Sequence, residues 1–508
     1  MNNNFRYGLD KLTIDIALDL ARDNIKGIIV DDIKTKILKS FNTVQSISKG
    51  DKLVYGINTG IGSLCTTKIS TEETGKLQEN LLKSHSVGVG SPIDQEIAKL
   101  MLILKVHTLC KGYSGVSLDV IERICWHIEN NYIPLVPEQG SVGASGDLAP
   151  LAHLFLPLIG LGYVSKDGKN YISMKEVLIK NNIKPLKLHA KEGIALINGT
   201  QFITAHAIKV SEKLFNCLEH ADLIGALTLE AYLGSPQPFD KRLIMLRPHK
   251  GATIVADRFR KFLKNSQYVE SHKDCGRVQD PYSIRCIPQV HGASRDALSH
   301  LNEKLSCELN SVTDNPIIFS ENDTVSGGNF HGQPLALPLD YISLAASELG
   351  NISDRRTYLL LEGKWGLPEY LIESSGLNSG FMLAQYCSAA LVSENKSFCF
   401  PASADSIPTS MGQEDHVSMG PISARKALQI IENLEKILSI ELICAAQAFD
   451  FRRPLKSSRV LEVCHKFIRS KIQHLTEDMV LSKFIESAHA IIKSKELIKI
   501  IQSQIKEI

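Results

Sequence analysis

Apolar residues recur at helical spacing over two long stretches, FITAHAIKVSEKLFNCLEHADLIGALTLEAYL (202–233) and ARKALQIIENLEKILSIELICAAQAFDF (424–451). That spacing predicts helices well beyond the usual three turns. Their apolar faces are too wide for a lone surface helix, so they are expected to pack as a bundle. Before Gln201 the pattern changes. Short helical segments alternate with turn-rich pieces such as YGINTGIG, GVGSPI and GSVGASGD, the composition of loops carried on a framework. Regular strand–helix alternation is absent, which argues against a doubly wound sheet. No internal repeat is visible. The expectation is a mostly α fold, with a loop-rich N-terminal region over 1–200 and a long central helix bundle over 201–508. The lysine-rich stretch from Lys456 to Ile508 is expected to be helical with a solvated charged face.

Composition narrows the function classes. The 508 residues are 44% hydrophobic and 22% charged with a formal net charge of +2, ample for large cores and without the field that favours nucleic acid or a membrane surface. The amino terminus, MNNNFRYGLDKL, lacks an apolar signal segment. The longest apolar stretch, Leu148 to Gly162, is interrupted by Pro150, His153 and Pro157. A cytoplasmic location is expected. The eleven cysteines are dispersed without a C-x-x-C pair, and none of the sixteen histidines forms H-E-x-x-H, so they read as reduced thiols and no metal is expected.

The most informative stretch is GSVGASGDLAPLAH (140–153). Between Ala144 and Gly146 nothing larger than a methyl and a hydroxyl crowds the backbone, and glycine reaches dihedrals closed to other residues. The Gly146 nitrogen could therefore attack the Ala144 carbonyl carbon with loss of water. Loss of the Ser145 hydroxyl as a second water would leave a five-membered ring bearing an exocyclic methylidene. Such a group is a strong electrophile, which no ordinary side chain supplies. The same residues also suit a plain loop in which Ser145 or Asp147 caps a helix through LAPLAHLFL. A hydrolase elbow is excluded, because Gly146 follows Ser145 directly.

Six further runs are more polar than loops require: YGINTGIG (55–62), LQENLLKSHSVGVG (77–90), ALINGTQ (195–201), VQDPYSIRCIPQVHGA (278–293), TDNPIIFSENDTVSGGNFHGQP (313–334) and PASADSIPTSMGQEDHVSMGPISAR (401–425). Together with ASGDLAPL, and in this order, they resemble the aromatic amino acid ammonia-lyase family over Val54 to Arg425, and within it the members that act on histidine. The resemblance implies that Ala144, Ser145 and Gly146 form 4-methylidene-imidazol-5-one (MIO), the ring reached above from sterics. It implies elimination of ammonia from L-histidine to give trans-urocanate. It also implies a homotetramer whose sites combine residues from several subunits.

Each candidate side chain has its own chemistry. Tyr55, in a glycine-rich loop, can act as a general base if its pKa is lowered. By resemblance it takes the β-proton, and Tyr282 is a second site tyrosine near the amino group or ring. Arg285 offers a planar fork suited to a substrate carboxylate. Asn198 and Gln279 carry amides that both donate and accept; by resemblance Asn198 contacts the carbonyl side of the ring and Gln279 lines the pocket. Phe330 would pack beside the ring. Substrate choice rests on His85 and Glu414, since a carboxylate satisfies an imidazole nitrogen and a phenyl ring would leave it unpaired. The chain departs from histidine-lyase relatives at Ile61, Ser63, Ile287, His291, Met411 and Gly412. A tyrosine or phenylalanine lyase, or an aminomutase, remains an alternative, as does a helical binding protein whose site never matures.

Overall fold

Helices dominate, as the apolar spacing predicts. The computed structural model describes residues 4–506, and among these the strands form only small sheets of two or three strands each. Twelve helices matter here, numbered in chain order: α1 (Thr74–His85), α2 (Gln95–Leu109), α3 (Leu148–Phe155), α4 (Glu192–Ile197), α5 (Gln201–Ala231), α6 (Ile287–Glu308), α7 (Gln333–Leu361), α8 (Met382–Phe398), α9 (Gly420–Asp450), α10 (Arg459–Lys471), α11 (Leu481–Ser494) and α12 (Glu496–Lys506). The two stretches of long helical periodicity are α5 and α9.

The chain divides into two compact units. The first holds the described residues up to Lys209 with Asn302–Leu339 and Pro401–Arg425; the second holds Val210–Leu301, Asp340–Phe400 and the residues from Lys426 onward. Both units are therefore discontinuous, and the loop-bearing runs at 313–334 and 401–425 join the first 209 residues. A pattern of apolar positions read along the chain has no means of anticipating that return.

In the first unit, α1 packs on α3 and α4, and α3 packs on α4. Gly193 permits the close approach of α4 to α1: a Cβ there would stand 2.5 Å from the Gln78 carbonyl oxygen. The Gln78 side chain accepts from the Ile194 N–H at 3.0 Å and fixes the register. Helix α2 is buried without interruption from Ile97 to Leu109, including Lys99 and Lys105.

In the second unit a largely buried charged cluster replaces part of the apolar core. Arg356 makes a two-pronged contact with Glu441, through Nε at 2.6 Å and Nη2 at 2.8 Å. Arg295 and Arg258 both reach Asp222. Buried charges of this kind persist only where each has its partner. The lysine-rich end forms α10, α11 and α12, with Leu461, Ile468, Ile492 and Leu497 buried. Lys466, Lys471, Lys483, Lys493 and Lys499 are exposed, as the charge pattern predicts. Among the described residues no helix is long and apolar enough to cross a membrane.

Candidate active site

Backbone bonds hold the run from Gly143 to Asp147 from both sides. On its N-terminal side the Met419 N–H donates to the Val142 carbonyl at 2.9 Å, and Ser418 Oγ donates to the Gly143 carbonyl at 3.2 Å. On its C-terminal side the Asp147 N–H donates to the Gly199 carbonyl at 2.8 Å, and the Gly199 N–H donates to the Ser145 carbonyl at 3.4 Å. This is a one-residue parallel bridge between Gly146 and Gly199. It uses the peptide groups on either side of Gly146, so the Gly146 N–H itself donates to no described residue. Gly146 has φ +75°, and a Cβ there would stand 2.1 Å from the Gly199 carbonyl oxygen. Only glycine fits.

Asp147 occupies the N-cap position of α3, but its side chain makes no capping bond to that helix. Its Oδ2 instead accepts from the N–H groups of Phe202 at 2.8 Å and Ile203 at 3.1 Å, two of the orphan donors at the start of α5. Complete burial pushes the Asp147 carboxyl up to about 7, against the pull of those two amides.

Ser145 borders a cavity of about 320 Å³, shared with Tyr55, Asn198, Phe330 and Glu414. A neighbouring cavity of about 240 Å³ is lined by His85, Ala144, Gly146 and, again, Glu414. The Glu414 carboxylate accepts from Ser145 Oγ at 3.0 Å and from Thr409 Oγ1 at 2.8 Å. It is aimed by a tight turn in which Ser410, Met411 and Gly412 all have positive φ, at 53°, 55° and 82°. The Thr409 N–H closes this turn on the Glu414 carbonyl at 3.0 Å. Two consecutive non-glycine residues in that region are strained, and strain of this kind collects where side-chain placement matters.

Tyr55 sits in a loop wound around the fully buried Asn58, whose amide accepts from the Val54 N–H at 2.8 Å and donates to the Lys52 carbonyl at 2.9 Å. The Gly62 N–H donates to the Tyr55 hydroxyl at 3.2 Å. Burial raises the phenol above its ordinary value and Glu414 adds to that, while the Gly62 amide opposes. His85 ends α1, with Nδ1 3.0 Å from Ser84 Oγ. Burial lowers its pKa, with Glu414 pulling the other way. Asn198 caps the C-terminus of α4 and is 3% exposed.

Gln279, Tyr282 and Arg285 belong to the second unit, and none of them lines either cavity. The Arg285 guanidinium lies 4.5 Å from the centre of the Tyr282 ring, and Tyr282 is 70% exposed. His291 is also in this unit, fully buried, with Nδ1 2.8 Å from Asp222 Oδ1 and Nε2 3.2 Å from Arg356 Nη1. It belongs to the charged cluster, and Ile287 is fully buried nearby in sequence.

The pattern described as aromatic amino acid lyase matches residues 12–470. The chain belongs to the aromatic amino acid lyase family. It is 44% identical to a histidine ammonia-lyase of Natranaerobius thermophilus over 94% of both chains. Among solved structures it resembles histidine ammonia-lyase from Trypanosoma cruzi, with 39% identity, a TM-score of 0.90, and 98% and 95% of the two chains covered. It also resembles tyrosine aminomutase from Streptomyces globisporus, with 33% identity, a TM-score of 0.92, and 98% of each chain covered.

In this aromatic amino acid lyase several groups at the cavities escape a reading of the sequence. Cys65, Asn315 and Gln413 line the first cavity and Thr409 the second. All except Cys65 lie inside the quoted polar runs, yet which residues of a loop face inward is set by long-range packing. Lys105 carried a local signal, as a lone cation in the apolar run LMLILKVHTL. Among the described residues no group of histidine, cysteine, aspartate and glutamate side chains is arranged to hold a metal.

Proposed function

We propose that the protein is an L-histidine ammonia-lyase, eliminating ammonia from L-histidine to give trans-urocanate. One observation carries this reading: Glu414 lines both cavities and bonds Ser145, in a chain 44% identical to a histidine ammonia-lyase. An imidazole N–H satisfies that carboxylate. A phenyl ring offers it no donor, a difference of about 1.5–3 kcal/mol for a charged hydrogen bond.

We infer that Ala144, Ser145 and Gly146 mature into MIO, and the residues fit it. The Gly146 N–H is engaged by no described residue, the peptide groups around it are pinned, and Ser145 Oγ is held by a carboxylate. Closure joins the Gly146 nitrogen to the Ala144 carbonyl carbon and releases that oxygen as water; Ser145 then loses Oγ and its α-hydrogen as a second water. Once formed, the group supplies an electrophilic methylidene that acts as an electron sink.

The side chains divide the remaining work. Tyr55, as the phenolate, takes the β-proton and becomes the neutral phenol; the Gly62 N–H at its oxygen favours the phenolate that must be present before the proton moves. Asn198 orients the ring carbonyl, Phe330 packs on the ring, and His85 with Glu414 receives the imidazole. Arg285 clamps the substrate carboxylate with Gln279 and Tyr282 beside it, contributed by neighbouring subunits of a homotetramer. The exposed apolar stripe Leu337, Tyr341 and Leu344 on α7 supports assembly; at spacings of four and three residues these side chains share one helix face. The eleven cysteines, all free, suit a reducing cytoplasm.

The deciding experiment supplies histidine, tyrosine and phenylalanine separately and follows ultraviolet absorbance. Urocanate from histidine is expected. Coumarate from tyrosine with no urocanate from histidine overturns the substrate assignment. A chain of full sequence mass, without the two-water loss, overturns the ring and returns the protein to a binding role.

A further inference from the structure

Lys105 has no exposed surface. Its ammonium donates to the carbonyls of Ala195 at 3.1 Å and Asn198 at 2.7 Å, in the last turn and at the cap of α4. It makes no ion pair at contact distance among the described residues, and Asp314, the acid with most influence on it, is already bonded to Lys191 at 2.8 Å. Burial lowers the Lys105 pKa to about 7. A buried cation without a contacting carboxylate costs stability, and an apolar side chain would suit the surrounding run from Leu100 to Leu109 better. The fold keeps a lysine there, and its position identifies what it does.

The end of a helix carries negative charge on its orphan carbonyls, and a cation is favourable there. Lys105 bonds two such carbonyls at once, and the second belongs to the residue immediately before Gly199. Gly199 is the residue whose N–H and carbonyl bracket Gly146. The contacts run in series from Lys105 to Asn198, from Gly199 to Ser145 and Asp147, with the Gly146 nitrogen left free between them.

We propose that Lys105 is a positioning residue for maturation: it fixes the Asn198–Gly199 turn against which Ser145–Asp147 must be folded for the ring to close. The proposal rests on the reading of Ala144–Gly146 as a self-forming ring. It names no new group that touches substrate.

Intact mass of the purified full-length protein tests it. Wild type should be lighter than its sequence by two waters. Lys105→Met approximates the aliphatic stem and removes the ammonium donors. It should fold, by circular dichroism, yet lose those waters more slowly by a factor on the order of ten or more, as expected for loss of a charge-assisted hydrogen bond. A lysine with only a structural role would lower the unfolding midpoint and leave the mass deficit complete. Lys105→Gln, which retains an uncharged NH2 donor group, covers the case in which the methionine variant does not fold. It should mature partly, with faster hydrogen exchange at the Asp147 and Gly199 amides. A complete two-water deficit in either folded variant, with unchanged exchange, overturns the proposal. Absence of the deficit in wild type overturns the ring reading itself, and the proposal with it.

Discussion

Replacing Gly146 by alanine probes whether the bridge to Gly199 holds the tripeptide in shape. The added Cβ would stand 2.1 Å from the Gly199 carbonyl oxygen and 2.5 Å from its carbonyl carbon, where ordinary contact begins at 3.4 Å. Both obstacles are backbone, so no side chain can swing aside, and the two segments have to part by about 1 Å. Parting takes the Asp147 N–H bond at 2.8 Å and the Gly199 N–H bond at 3.4 Å out of range. Each buried bond contributes about 1 kcal/mol, and alanine in the left-handed region costs a further 1–2 kcal/mol or so. The expected loss is therefore about 3–4 kcal/mol. The proper reference is Ser145→Ala, which also cannot complete the ring but keeps the bridge. Urea midpoints of the two proteins, converted with a common slope, should differ by that amount, and neither should show the two-water loss. Equal midpoints, or a completed two-water loss in Gly146→Ala, would refute the role assigned to the bridge.

Other outcomes follow from the same geometry. Glu414→Gln removes the charge that pairs with imidazole, so the preference for histidine over phenylalanine, as a ratio of kcat/KM, should narrow by about 10- to 100-fold; an unchanged ratio contradicts the substrate role. Tyr55→Phe should lower kcat by about 10²- to 10⁴-fold while the two-water deficit stays complete, and near-normal turnover would exclude Tyr55 as the base. Because burial and Glu414 raise the Tyr55 phenol, kcat/KM should climb as pH rises toward that raised value. Removing the negative neighbour in Glu414→Gln should move the climb to lower pH, and a shift to higher pH has the wrong sign for this arrangement. Asp147→Ala removes the acceptor at the start of α5 and should cost about 1–2 kcal/mol in thermal or urea unfolding, with hydrogen exchange speeding up at the Phe202 and Ile203 amides; unchanged exchange there contradicts the role at α5.

Local periodicity carries the helices well. The apolar spacing predicts helices over 202–233 and 424–451, and the helices run over Gln201–Ala231 and Gly420–Asp450. Tyr55, Ser145, Asn198, Phe330 and Glu414 meet at one cavity although they lie in five separated runs, because each run is too polar and too rich in glycine to be a mere connector. What local pattern does not contain is direction. Asp147 reads as a cap for the helix that follows it, yet its carboxylate turns to a helix more than fifty residues onward. Spacing could not place His291, whose partners Asp222 and Arg356 are far away in sequence. Nor could it show that the loops at 313–334 and 401–425 return to the first unit.

The clasp around Gly143–Asp147 has a consequence for the order of events during synthesis. Its two jaws are Gly199 on one side and Ser418 with Met419 on the other, and these leave the ribosome long after residue 146. If ring closure needs both jaws, the nascent chain stays chemically ordinary through most of translation, and no electrophile is exposed while nucleophilic chaperones and unfolded neighbours surround it. On the proposed reading, a two-water deficit would record, in each finished molecule, that distant parts of the chain found one another.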